Sequence, residues 1–409
     1  MQDSKLRITD VEVLNLRAEY PPELRFRYSG GICTGRITSL VRVSTEGGLV
    51  GWGTVYSHPK LIRVILEEHL KPFLLGEDAL EIDRLWGMMY TLTRWYGQKG
   101  VAISALGAVD IALWDLKGKA LGKPVSELLG AGQRSVPAYA SGLLWKEDVQ
   151  DLEIEARDHM EAGFQGVKMR LGRGQAYDLA ALEAVRRGVG SHGDVMVDGS
   201  QRYSMETAIW LSPHLVEKGV VYFQEPFPPE EMDNYVMLRR KTQIPLAAGE
   251  NEFGVRGFQE WVRAEALDIL QPDVCRSGGI TEVLRIGQMA AEVEIPIITH
   301  TWSDALAIIA NAHVVAALPN GKMVEVDQTG NPFVEELLIE PLDIHNGQLH
   351  LSDTPGLGVE PNLECIEKYS FPPGQAMPDG LYSDLIFGPD YRITPPLYEM
   401  DSEGDSNSE

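Results

Sequence analysis

Asp198, Glu225 and Glu250 each follow a short apolar run: Val195-Met196-Val197, Val221-Tyr222-Phe223-Gln224 and Pro245-Leu246-Ala247-Ala248-Gly249. Three carboxylates brought to one point repel one another and raise each other's pKa. A hard divalent cation removes that conflict and takes oxygen ligands, so the trio reads as a site for one Mg²⁺ with positions left for water or substrate. Two more runs end in Asp273 and His300. An aspartate against one imidazole nitrogen fixes the tautomer and raises the basicity of the other, which makes this pair a candidate general base. In Val167-Lys168-Met169-Arg170 two cations stand at spacing two, on one side of a strand. Beside a metal, Lys168 and Arg170 would neutralise a substrate carboxylate. Met323-Val324 leads into Glu325, a candidate hydrogen-bond partner for the carboxylate oxygen that gains charge.

The elements that must position these groups follow from their rhythm. With Ser141 after Val136–Ala140 and Lys168 after Gly166-Val167, eight such ends recur every 23 to 30 residues. That length suits a strand, a helix and two loops. A parallel strand buried on both faces reads as a continuous apolar run. The spacing therefore predicts an α/β barrel with its functional groups at the C-terminal ends of the strands, where barrel active sites are built. Helical stretches such as Leu179–Arg187 and Met205–Leu215 fill the gaps.

Ahead of the barrel, Ile8–Leu16 alternates as a strand, and Ile37–Ser44 and Gly48–Gly53 flank Glu46-Gly47-Gly48 like a hairpin. Glu19–Gly35 between them reads as a polar loop. Ile62, Ile65, Leu66 and His69 mark a helix before Pro72, and Leu106, Val109, Leu113 and Leu116 one buried helix face. Val125–Leu129, after Lys123-Pro124 and before Gly130, reads as a short helix. The first third is thus an α+β domain. After about residue 340 the rhythm breaks into turns.

Composition bounds the partners. The 409 residues are 44% hydrophobic, ample for large cores, and carry a net charge of −24. That charge argues against nucleic acid or an anionic membrane as partner. It also means that a small-molecule carboxylate substrate needs local Lys or Arg. Residues 398–409 hold five acidic side chains and no basic one, and read as a disordered tail. Three scattered cysteines, the lack of a signal pattern and the lack of a bilayer-length apolar run fit a cytoplasmic protein.

The residues quoted above, together with Gly249-Glu250-Asn251, Pro272-Asp273 before Gly278-Gly279, and Asp110-Ile111-Ala112-Leu113-Trp114-Asp115, resemble the enolase superfamily and within it the mandelate racemase subgroup, its sugar-acid dehydratases in particular. The resemblance covers nearly the whole chain. It implies a modified TIM barrel, (β/α)7β-like, over 133–340 and an α+β capping domain over 1–132. A C-terminal segment, 341–397, would return to the cap. It implies Asp198, Glu225 and Glu250 as Mg²⁺ ligands, Asp273–His300 as the base and Glu325 as partner of the enediolate oxygen. Asn251, Trp302 and the cap-loop residues Arg25, Arg27, Tyr28, Tyr56 and His58 become candidate substrate contacts, and the family's habit implies a homo-oligomer. Two positions depart from the pattern: Ser200 stands where the family usually has Asn, and Arg170 where mandelate racemase has a lysine base. Guanidinium stays protonated above pH 12, so it is a poor base. With one base, elimination is favoured over racemisation, and the expected enzyme is a carbon–oxygen lyase that dehydrates an aldonic or aldaric acid to a 2-keto-3-deoxy acid. A racemase or epimerase of a 2-hydroxy acid, and an idle relative that only binds a metal and a carboxylate, remain alternatives.

Overall fold

In the computed structural model, residues 6–28 and 31–371 and the backbone of Asp384–Phe387 are described. The expected acidic tail, 398–409, lies outside the described residues. Strand β1 (Ile8–Glu19) pairs antiparallel with β3 (Gly31–Thr45), from Ile8↔Thr45 to Glu19↔Gly35. β3 turns through Gly47 and Gly48, at φ +92° and +86°, into β4 (Val50–Val55). The Glu19–Gly35 stretch is not one polar loop. A turn at Pro22–Leu24 leads to β2 (Phe26–Tyr28), which pairs with Gly31–Cys33. The alternation of Phe26 and Tyr28, within a mostly polar stretch, is too short to stand out as strand periodicity.

Helix α1 (Pro59–Arg63) runs through a wide π segment, Val64–Leu70, into α2 (Lys71–Leu74). Pro72 falls just past the junction of the π segment and α2, and the chain stays helical through it, so the helix does not stop there. Then come α3 (Ile82–Thr93), α4 (Val101–Leu121) and α5 (Val125–Leu128). The sequence predicts one buried face for α4, yet the helix is buried on nearly every side. Glycines allow this. A Cβ on Gly53 of the cap sheet would lie 2.0 Å from the Ala108 carbonyl oxygen, and one on Gly107 would lie 2.6 Å from the Gly279 nitrogen.

The barrel alternates β5 (Ser135–Ser141), α6 (Val149–Glu161), β6 (Gly166–Arg170), α7 (Gln175–Val189), β7 (Asp194–Asp198), α8 (Met205–Glu217), β8 (Val220–Gln224) and α9 (Met232–Arg239). It continues with β9 (Leu246–Ala248), α10 (Gly254–Arg263), β10 (Ile269–Leu270), α11 (Gly279–Ala291), β11 (Ile297–Thr299), α12 (Ala305–Ala317) and β12 (Gly321–Asp327). Neighbouring strands are parallel, and β12 closes on β5 from Val324↔Ala138 to Asp327↔Ser141. After β12, where an eighth barrel helix would stand, comes the four-residue α13 (Pro332–Glu335), so among the described residues the barrel has eight strands and seven full helices.

The C-terminal return divides. The hairpin of β13 (Ile344–His345) and β14 (Gln348–His350) pairs with β5 of the barrel, not with the cap, through Leu349↔Val136. α14 (Leu363–Tyr369) packs against β1, and β15 (Asp384–Phe387) pairs with β3. No described helix is long and apolar enough to cross a membrane.

Cap and barrel are locked together by buried polar groups. Asp304 caps α12 by accepting from the Ala307 N–H at 3.0 Å, and its other oxygen accepts from Thr38 and Thr54 hydroxyls of β3 and β4, both at 2.5 Å. Asp304→Ala removes a helix cap and strands two buried hydroxyls, so unfolding free energy should fall by roughly 2–4 kcal/mol. Urea titration checks this, and a change below about 0.5 kcal/mol, the usual surface effect, would show that the lock is idle.

Candidate active site

Inside the barrel, Tyr139, Met196, Tyr222, Ala247, Ile269 and Ile298 form an apolar floor. Alternation along each strand then dictates the next layer. Met196 puts Asp198 inward, Tyr222 puts Gln224 inward, and Met323 is followed inward by Glu325 and Asp327. Lys168 and Arg170 share the inward side of β6, as their spacing predicts. Strand parity alone would turn Glu225 away from the interior. Its backbone instead takes φ +38°, a left-handed conformation rare outside glycine, and its side chain is buried. Ser200 and Gln201, at φ +48° and +62°, share this strain in the loop after β7.

Asp198 Oδ1 accepts from the Ser200 N–H at 2.7 Å and its hydroxyl at 3.2 Å. Arg170 Nη1 lies 2.7 Å from Asp198 Oδ2 and donates to the Ser200 oxygen at 3.0 Å. Serine thus bridges the first carboxylate and the guanidinium. Glu225 Oε2 accepts from Gln201 Nε2 at 2.6 Å and from Asn251 Nδ2 at 2.8 Å. Gln224 Nε2 donates to Glu250 Oε2, while Gln224 Oε1 accepts from Lys168 Nζ at 2.9 Å. Lys168 Nζ also lies 2.5 Å from Glu325 Oε1, and the Thr301 N–H donates to Glu325 Oε2 at 3.0 Å.

Asp273 Oδ2 lies 2.8 Å from His300 Nδ1, and Asp273 Oδ1 accepts from the Cys275 N–H at 2.8 Å. A carboxylate on Nδ1 sets the tautomer in which Nδ1 carries the proton and Nε2 is free to accept one. Nε2 lies 3.5 Å from Glu250 Oε2, so the accepting nitrogen faces the carboxylate cluster.

The electrostatics sort these groups. Burial, with Glu250 and Asp198 adding repulsion, pushes Glu225 up to about 8. Burial opposes the His300 cation, but Glu250, Asp273 and Glu325 outweigh it and raise its pKa. Burial likewise opposes the Arg170 charge, and Asp198, Glu250 and Glu325 more than restore it, so Arg170 is held protonated. Burial raises Glu325, yet Lys168 and then His300 pull it down to about 2. An ionised Glu325 accepts hydrogen bonds and cannot donate one. In this structure Glu325 is paired with Lys168 and with the Thr301 N–H.

Among the described residues no three acidic, histidine or cysteine side chains form a ready-made cation cage. The donor set nevertheless fits a hard cation. Three carboxylates lie at the ends of adjacent strands, and burial with repulsion from Glu250 raises the pKa of Glu225, a conflict that a cation would relieve.

The cap residues divide. The Tyr28 ring lies 5.8 Å from the Arg170 guanidinium, and the Tyr56 ring 5.7 Å from the His300 ring. Trp302 is buried with its ring 5.0 Å from Arg170. Arg27 pairs through its backbone with Trp145. Arg25 turns back to the Tyr20 carbonyl and His58 begins α1, and neither bonds the groups above. Sequence reasoning missed Gln224, Gln201 and Arg276. Arg276 donates to the Glu250 carbonyl at 2.6 Å and to Asn251 Oδ1 at 2.9 Å. Gln224 had a signal, a polar residue two after Tyr222 in an apolar run.

Residues 151–365 match the family description "Enolase C-terminal domain-like", and 23–130 match "Mandelate racemase / muconate lactonizing enzyme, N-terminal domain". Arabinonate dehydratase of Saccharolobus solfataricus is 35% identical over 332 residues, 80% of this chain and 89% of its own. D-galactarolactone cycloisomerase of Agrobacterium fabrum is 34% identical over 345 residues, 81% and 91% of the two chains. L-talarate/galactarate dehydratase from Salmonella typhimurium, solved liganded with Mg and L-lyxarohydroxamate, superposes with a TM-score of 0.82 at 25% identity, covering 90% of this chain and 94% of that one.

Proposed function

The chain belongs to the enolase superfamily, in its mandelate racemase subgroup, and on that premise we propose that it is a Mg²⁺-dependent dehydratase of sugar acids. Asp198, Glu225 and Glu250 would hold the cation, which when bound supplies Lewis-acid polarisation of the substrate carboxylate. Lys168, oriented by Glu325 and Gln224, stabilises charge that develops on that carboxylate. His300 Nε2 takes the α-proton while Asp273 holds the resulting imidazolium. The enediolate then collapses, the β carbon–oxygen bond breaks, and His300 returns its proton to the departing hydroxyl. Water leaves, and the enol becomes a 2-keto-3-deoxy acid.

The observation that carries this reading is the unequal pair across the site, a buried His–Asp base against an arginine held protonated by Asp198. One base that becomes the acid is enough for elimination; racemisation needs a base on each face. A second reading draws on the cycloisomerase relative. If the β-oxygen belongs to a ring, the same steps open the ring without loss of water.

Incubation with Mg²⁺ and a panel of aldonic acids, aldaric acids and their lactones, followed by semicarbazide and mass spectrometry, tests this. A keto acid one water lighter than its substrate supports dehydration; a keto acid of unchanged mass from a lactone supports cycloisomerisation. Deuterium in recovered substrate of inverted configuration would replace both with a racemase. Mg²⁺ and ligand binding with no α-hydrogen exchange in D₂O would leave an idle binder. The same ligands run as partners; cellular location and a homo-oligomeric state stay part of the proposal, open to fractionation and light scattering.

A further inference from the structure

Arg36 of β3 is fully buried. Its Nη2 lies 2.5 Å from Asp327 Oδ2 at the inward end of β12 and donates to the Thr329 hydroxyl at 2.9 Å; its Nε donates to the Tyr20 hydroxyl at 3.0 Å. Its guanidinium also sits 4.4 Å from the centre of the Trp302 ring. That same ring is 5.0 Å from the guanidinium of Arg170. One indole thus touches a cap arginine and a site arginine, and an indole is the aromatic that holds guanidinium best.

We infer that Arg36 is a positioning residue for the reaction, acting through Trp302 on Arg170. A buried ion pair is costly to desolvate and is often replaceable by apolar packing without loss of stability. Docking of the cap does not require it, since Asp304 and the Trp86 indole, which donates to the Gly278 carbonyl at 2.8 Å, already tie the two parts together. What Arg36 adds is placement. Asn331 Nδ2 donates to Asp327 Oδ2 at 2.9 Å and to the Ser303 carbonyl at 2.8 Å, so the anion that pairs with Arg36 also pins the loop carrying Trp302, two residues past His300. Asp198 and Trp302 then hold Arg170 from two sides, and the second of these depends on the cap.

The kinetic arm of the test rests on the dehydratase reading; the spectroscopic arm does not. The protein is labelled with 5-fluorotryptophan, and the Trp302 signal is assigned by its loss in Trp302→Phe. Arg36→Lys keeps a charge for Asp327 but has no planar face for the ring. It should shift the Trp302 fluorine signal, and Arg170→Lys should shift it too. Arg36→Lys should lower kcat about tenfold, which is about 1.4 kcal/mol in the barrier, with KM held within about threefold. In a Trp302→Leu background it should lower kcat no further. An unmoved fluorine signal, a lowered Tm with parental kcat, or a tenfold loss that persists in the Trp302→Leu background would each overturn the inference. If Arg36→Lys does not fold, Tyr20→Phe removes one acceptor of Arg36 and should shift the same signal, and no shift there overturns it. If no acid is turned over, the dehydratase reading falls and the fluorine signal alone decides.

Discussion

Replacing His300 by asparagine is expected to abolish turnover and, with it, exchange of the substrate α-proton with solvent. A positioned general base contributes roughly 10²- to 10⁴-fold. The loss here should reach the upper end, because the same imidazole serves again as the acid for the leaving hydroxyl. Asparagine keeps the side chain near Asp273 in size and polarity, so the buried carboxylate at 2.8 Å retains a hydrogen-bond partner. Mg²⁺ and carboxylate binding, measured by calorimetry, should survive. Exchange in D₂O that persists at more than about a tenth of the parental rate would move the base elsewhere, since proton abstraction would then not need His300.

Stripping the cation should have an effect of the same order. Dialysis against a chelator is expected to stop turnover, with recovery on adding Mg²⁺. The sharper version uses stability. Asp198, Glu225 and Glu250 come together only when the chain folds, so a cation that they hold would bind the folded state in preference to the unfolded one. At a hundred times its dissociation constant it would add about 2.7 kcal/mol to folding. Glu225→Gln removes one ligand and one charge, and should weaken Mg²⁺ binding by at least about 100-fold. The Mg²⁺-dependent rise in Tm should therefore vanish in that variant at the concentration that saturates the parent. An equal rise in both proteins would mean that the cation binds somewhere other than these carboxylates.

The barrel was legible because its strands are buried on both faces. Each one reads as an unbroken apolar run, and a charge that interrupts it at a fixed interval has no solvent to explain it. Asp198, Glu225, Glu250, Asp273 and His300 stood out for that reason. Side-chain alternation placed Lys168 and Arg170 together, and the structure agrees. Alternation failed at Glu225, where one strained backbone angle overrides the strand's parity, and no propensity forecasts a left-handed glutamate. Arg36 gave no signal in the sequence. A lone arginine in an alternating cap strand reads as a solvated charge, and its partner Asp327 lies near the far end of the barrel sequence. Long-range pairs of that kind leave no periodic trace. The contact of Glu325 with Lys168 is another such pair.

The pairing of β15 with β3 has a consequence in time. Asp384 stands opposite Arg36 in that ladder, 348 residues away along the chain (384 − 36). At roughly 5–20 residues per second of synthesis, β3 leaves the ribosome roughly 20 to 70 seconds before its partner exists. Within that interval all eight barrel strands emerge, with Asp198, Glu225 and Glu250. The nascent protein therefore passes through a stage in which the barrel strands have all been made while an edge of the cap sheet is still unpaired. An exposed strand edge of that kind is a template for other chains. Crowded synthesis, heat or slow codons near the end of the message should turn this stage into aggregates, and a chaperone that shields β3 would act there.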